Sequence, residues 1–109
     1  MTTRTPRGNS PLEGKVALVT GGAARVGRAV ALRLAREGMH VAFTYRSSAD
    51  EAASLVTELR ALGRETLAIR ADLSREAAAG QVLRRFSARF DSLHVLVNNA
   101  SVFEPTRPG

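Results

Sequence analysis

Lys15-Val16-Ala17-Leu18-Val19-Thr20-Gly21-Gly22-Ala23-Ala24-Arg25-Val26-Gly27 is the stretch whose reading decides the fold. Lys15 to Thr20 is a short, nearly continuous apolar run that Gly21-Gly22 ends, which suits a strand buried on both faces of a parallel sheet. From Arg25 to Glu37, Val26, Val30 and Leu34 recur at i, i+4 and i+8, so a helix follows with these three on its apolar face, and Gly38 stops it. Small residues between strand and helix let backbone approach a phosphate closely. The helix start adds unpaired N–H groups and the positive end of a dipole, and Gly27 lets the helix pack tightly on the sheet. Glycine-rich turns also occur without any ligand. The place of this one at the head of a strand-helix-strand unit is what favours a nucleotide.

The rest of the chain repeats the alternation. His40 to Tyr45 reads as a second strand, and Ser48 with Glu51 as a capping box for a helix carrying Ala52, Leu55, Val56, Leu59 and Leu62 as its apolar stripe. Gly63 ends that helix. A third strand lies between Glu65 and Ala71, around Leu67-Ala68-Ile69. Ser74 can cap a third helix in which Val82, Leu83, Phe86 and Phe90 share a face, and Val95-Leu96-Val97 is the fourth strand. The fold class is therefore α/β, βαβαβαβ, a doubly wound parallel sheet of order 3-2-1-4 that stops after the fourth strand. A ligand crevice is expected between strands 1 and 4. Residues 1–13, polar with Pro6, Gly8 and Pro11, read as a flexible lead-in, and 14–109 as the front half of a nucleotide-binding domain.

Composition removes several classes. The chain has 109 residues and no Cys, so disulfides and thiolate metal sites are excluded, and His40 and His94 have no partners at metal-ligand spacing. Net charge is +6, almost all from Arg, but the Arg residues are spread through helical patterns and the chain has one Tyr and no Trp to stack bases. A solvated basic surface is the better reading than a nucleic-acid partner. No apolar run reaches the roughly 20 residues of a membrane helix, and the N-terminus lacks a secretory apolar region. A cytoplasmic protein with no membrane partner is expected.

Cofactor choice is read at the end of the second strand. Where many dinucleotide-binding units place an acidic residue for the ribose 2′-OH, this chain has Tyr45-Arg46-Ser47-Ser48, with no carboxylate until Asp50. Arg46 can meet the 2′-phosphate of NADP bidentately and Ser47 can donate to it, so NADP(H) is expected over NAD.

These residues resemble the short-chain dehydrogenase/reductase family, whose fold is a Rossmann-type sheet. Its glycine motif T-G-x-x-x-G-h-G, with h hydrophobic, is matched by Thr20, Gly21, Val26 and Gly27, with Arg25 for the middle Gly. Its N-N-A-G landmark reads Asn98-Asn99-Ala100-Ser101, and its adenine-holding Asp is matched by Asp72, followed by Leu73. The resemblance covers about residues 14–106. It implies that Gly21, Arg25, Val26, Gly27, Arg46, Ser47, Asp72, Leu73, Asn99, Ala100 and Ser101 contact the cofactor. Arg25 and the run Asn98 to Thr106 are similar to the pteridine reductase branch, with T-G-x-x-x-R-h-G and N-N-A-S-x-F-x-P-T. That likeness implies a pterin substrate bound by Arg25, Ser101 and Phe103, the last as a stacking wall. His94 stands where the family usually has Asp, and a neutral His could hold the same turn.

The family's chemistry uses a later Tyr-x-x-x-Lys pair, in which the Tyr supplies a proton as hydride is delivered. Tyr45 and Lys15, the single Tyr and Lys here, cannot form it. The expectation is an NADPH-dependent reductase of a dihydropterin or dihydrofolate-like ring, present as an inactive N-terminal fragment with no catalytic residue, whose longer form is a homo-oligomer. Two alternatives stay open: another short-chain reductase acting on a ketoacyl or sugar carbonyl, or a non-catalytic nucleotide-binding module.

Overall fold

The computed structural model describes residues 10–99. Within them, seven elements alternate: β1 Val16–Thr20, α1 Arg25–Arg36, β2 His40–Tyr45, α2 Ala49–Ala61, β3 Thr66–Arg70, α3 Ala78–Arg89 and β4 Val95–Asn98. The strands pair in parallel in the order β3-β2-β1-β4, as expected. β1 is an inner strand: Leu18 lies beside Ala42 of β2 on one side and Leu96 of β4 on the other.

The apolar run of β1 has its cause in two cores. On one face Val19, Val41 and Phe43 pack with Ala31 and Ala35 of α1 and Leu55 and Leu59 of α2. On the other, Leu18, Ala42 and Ile69 pack with Val82 and Phe86 of α3 and with Phe90 just beyond it. The rings of Phe86 and Phe90 lie 5.3 Å apart in a tilted pair. Phe43 is fully buried, and truncating such a ring typically costs about 3–5 kcal/mol.

Five local expectations are corrected. The fully buried row of α1 is Gly27, Ala31 and Ala35; Val30 and Leu34 pack half-buried at the margin of that core, and Val26 does not. The two rows are one residue apart, about 100° of helix rotation. The row of small residues faces the sheet because it lets the backbones come close, which leaves Val26 64% exposed. Ser48 starts α2 through its carbonyl, which accepts the N–H of Ala52 at 2.9 Å, but its side chain makes no cap bond, so the capping box with Glu51 does not form. Leu62 lies past the end of that helix and is exposed. α3 starts after Ala77, not Ser74, because Ser74 is engaged by Asp72: its N–H and hydroxyl both donate to Oδ1, at 3.1 and 2.6 Å. Leu83 is exposed and stands off the face formed by Val82, Phe86 and Phe90.

Gly38 and Gly63 end α1 and α2 with φ of +106° and +82°, the left-handed conformation expected of such stops. Part of the expected lead-in is tied to the body. The Ser10 hydroxyl donates to the Glu37 carbonyl at 3.0 Å, and Glu13 pairs with Arg64 at 3.5 Å. Among the described residues no helix is long and apolar enough to cross a membrane.

Candidate functional site: a cleft at the strand ends

The turn after β1 is held from two sides. Thr44, at the end of β2 and 2% exposed, accepts the Gly21 N–H on its hydroxyl and the Gly22 N–H on its carbonyl, each at 2.9 Å. From the β4 side, the Thr20 hydroxyl donates to Asn98 Oδ1 and accepts the Asn99 N–H, both at 2.9 Å. The Asn99 side-chain amide donates to the Gly21 carbonyl at 3.4 Å. Gly21 itself has φ +69°, a conformation that disfavours any side chain.

Gly27 sets how close α1 comes. A Cβ there would lie 2.1 Å from the Gly21 carbonyl oxygen and 2.9 Å from Asn99 Nδ2. The helix therefore begins directly behind the turn. Its N-cap residue Ala24 offers no side-chain oxygen and its first turn holds no acid, so the N–H groups there face no competing side-chain anion of their own helix.

In front of this turn lies a cleft of about 340 Å³. Gly21, Ala24, Arg46, Ser47, Ser48 and Asn99 are among its lining residues. It sits at the carboxyl ends of β1, β2 and β4, where an open α/β sheet binds its ligands. The structure thus brings Gly21, Arg46, Ser47 and Asn99 together, with Gly27 supporting them from behind.

Arg46 stands at the rim. Its backbone is fixed to the end of β3, for its carbonyl accepts Arg70 Nε at 3.3 Å and the Tyr45 carbonyl accepts the Ala71 N–H at 2.9 Å. Its guanidinium, 74% exposed, lies 3.9 Å from Asp72 Oδ2. The hydrogen bonds from Ser74 hold the Asp72 carboxyl below the usual carboxylate range, with Arg46 and Arg75 adding smaller attractions.

Other expected site residues sit apart. Arg25 lines a neighbouring recess of about 290 Å³ with Arg28, Asp50, Glu51 and Ser54, which shares Ala23 with the first cleft. Val26 points to solvent, and Leu73 packs against the core under α3. Ala100, Ser101 and Phe103 lie outside the described residues.

One residue that holds the turn, and one that holds the strands behind it, were not singled out as such from the sequence. Thr44 had one signal, a polar residue near the end of an otherwise apolar strand. His94 was noted without a settled role. Its Nδ1 accepts the Val16 N–H at 3.0 Å, while its main-chain N–H donates to the Val16 carbonyl at 2.9 Å. It pins the start of β4 to the start of β1.

A profile of the short chain dehydrogenase family matches residues 15–108. The chain is 41% identical over 88 residues to the 3-oxoacyl-(acyl-carrier-protein) reductase FabG of Staphylococcus epidermidis, an alignment covering 81% of this chain and 36% of the relative. A short chain dehydrogenase from Burkholderia cenocepacia, solved in complex with NADP, matches with TM-score 0.80 and 45% identity over 85% of this chain and 38% of that one. An NADH-dependent reductase, A1-R′, solved with NAD, matches with TM-score 0.78 and 36% identity over 84% of this chain and 38% of that one. The chain spans a little over a third of the length of these proteins. They include a ketoacyl reductase and other short-chain enzymes, and they do not single out the pteridine reductase branch.

Proposed function

The chain belongs to the short chain dehydrogenase family, and from that premise we propose that it forms the NADP(H)-binding part of an oxidoreductase. The observation that carries the choice of NADP is Arg46 beside Ser47 at the rim of the cleft. A guanidinium and a hydroxyl suit a 2′-phosphate, and the charge would be idle against a bare ribose hydroxyl. The Burkholderia relative with NADP supports this reading, while the NAD-bound relative marks the alternative. In this assignment the start of α1 with Gly21 and Gly27 takes the pyrophosphate, Asp72 the adenine amino group, and Asn99, Ala100 and Ser101 the nicotinamide side. A bound nicotinamide supplies or accepts the hydride; the residues of this chain bind and orient it.

Titration of the full chain by nucleotide fluorescence tests the choice. NADPH should bind at least about tenfold tighter than NADH, a gap of roughly 1.4 kcal/mol, and Arg46→Asp should narrow or reverse it. Equal affinities in the parent overturn the assignment.

For the substrate, the reading tied to this chain's own residues is a dihydropterin or dihydrofolate-like ring, supported by Arg25, Ser101 and Phe103. The FabG relative supports a carbonyl substrate instead. Phe103→Ala should weaken pterin binding by about 1–3 kcal/mol through loss of ring contact, with little effect on NADPH. Unchanged pterin affinity in that variant removes the pterin reading and leaves the carbonyl one.

A further inference from the structure

We propose that Asp72 tunes cofactor preference by competing with the 2′-phosphate for the guanidinium of Arg46. The inference rests on the assignment of Arg46 to that phosphate and adds a second residue that sets how strongly the assignment is expressed.

The geometry divides the two oxygens of Asp72 between two tasks. Oδ1 accepts both the N–H and the hydroxyl of Ser74, at 3.1 and 2.6 Å, which fixes the orientation of the carboxylate. Oδ2 is left toward Arg46 Nη2, 3.9 Å away. The carboxyl is held below the usual carboxylate range by the Ser74 bonds, so it stays charged at neutral pH. Arg46 has its carbonyl held by Arg70 and the preceding Tyr45 carbonyl held by the Ala71 N–H, so what remains adjustable is its side chain. That side chain lies between an internal anion and the cleft it lines.

A contact of 3.9 Å between exposed groups is a weak pair. A phosphate dianion that takes two N–H bonds from the guanidinium outcompetes it. The carboxylate nevertheless lowers the positive potential the phosphate meets and draws the guanidinium toward the loop after β3. A ligand with a free 2′-hydroxyl gains nothing from Arg46 and is indifferent to this competition. Asp72 therefore restrains preference for the phosphorylated cofactor, while its Oδ1 keeps the turn in shape.

The test separates charge from shape. Asp72→Asn retains an oxygen that can accept from Ser74 and removes the charge facing Arg46. Binding of adenosine 2′,5′-bisphosphate and of 5′-AMP to the full chain is measured by calorimetry. In Asp72→Asn the ratio of the two affinities should rise about two- to fivefold, the scale of an exposed ion pair, while loss of the adenine contact assigned to Asp72 lowers both affinities by a common factor. In Arg46→Gln the same Asp72→Asn change should leave the ratio where it was. An unchanged or lowered ratio in Asp72→Asn overturns the inference, because an equal loss for both nucleotides means that Asp72 acts only through the turn or the shared adenine. The assignment of Arg46 fails by a different result: a parent with no preference between the nucleotides that Arg46→Gln leaves unaltered.

Discussion

The hydroxyl of Thr44 accepts the N–H of Gly21 at 2.9 Å, so the end of β2 carries the turn that follows β1. Gly21 has a positive φ, and the bond holds that residue in a conformation the chain would otherwise leave readily. Thr44→Val keeps the shape and deletes the acceptor. Leaving the Gly21 N–H without this partner should cost about 1–3 kcal/mol, while Thr44→Ser, which keeps the oxygen, should cost less. Urea unfolding of the three proteins checks this, and equal midpoints for parent and Thr44→Val would show that the bond has no weight.

Two glycines in helices should respond oppositely to a methyl group. At Gly27 a Cβ would meet the Gly21 carbonyl oxygen at 2.1 Å, backbone against backbone. Gly27→Ala must push α1 off the turn, at about 1–3 kcal/mol, and should also weaken nucleotide binding. At Gly80, in α3, the nearest atom to a Cβ is Arg84 Nη1 at 3.5 Å, an ordinary contact with a flexible side chain. Gly80→Ala should stabilise by about 0.5–1 kcal/mol through helix propensity. Thermal melts decide both signs.

These contacts show what the sequence can and cannot tell. The alternation of elements and the strand order were legible because β1 is buried on both faces and so has an unbroken apolar run. The position of Arg46 and Ser47 at the cleft was legible because it is counted from the end of a strand. The face of α1 was legible in part: periodicity favours Val26, Val30 and Leu34 by size, and Val30 and Leu34 do pack at the core margin, whereas close packing on the sheet selects Gly27, Ala31 and Ala35 for the fully buried row. Ser74 looked like a helix cap because its competitor, the Asp72 carboxylate, cannot be ranked against a helix N–H from sequence. Thr44 and Gly21 lie 23 residues apart, and nothing local to either announces their bond. The separation of Arg25 from Arg46 arises the same way, since Arg25 meets the start of α2 in a recess of its own.

His94 holds β4 against β1 by an acceptor nitrogen facing the Val16 N–H at 3.0 Å. His94→Ala removes it and should cost about 1 kcal/mol, the net value of a typical hydrogen bond. His94→Asp supplies an acceptor oxygen at the same turn and should recover part or all of that loss. Hydrogen exchange at the Val16 amide is the direct reporter. It should quicken in His94→Ala and return toward the parent rate in His94→Asp, and identical rates in all three would remove the assigned role.

Leu96 is level with Leu18 in the sheet, yet Leu18 is buried and Leu96 is 59% exposed. The difference comes from α3, which packs on β3 and, among the described residues, leaves that face of β4 largely uncovered. Leu93, just before the strand, is 38% exposed as well. Among the described residues β4 pairs with β1 alone, so its other edge offers unpaired backbone beside these side chains. Apolar surface next to an open strand edge favours association with another chain. The 109-residue chain in isolation should therefore sediment as a concentration-dependent mixture with a melting temperature that shifts with concentration. Leu96→Lys places a charge on a mostly exposed position, where little packing is lost, and should move the mixture toward monomer with little change in the melt at high dilution. A parent that stays monomeric at all concentrations, or a Leu96→Lys variant that associates as the parent does, would show that this face does not drive association.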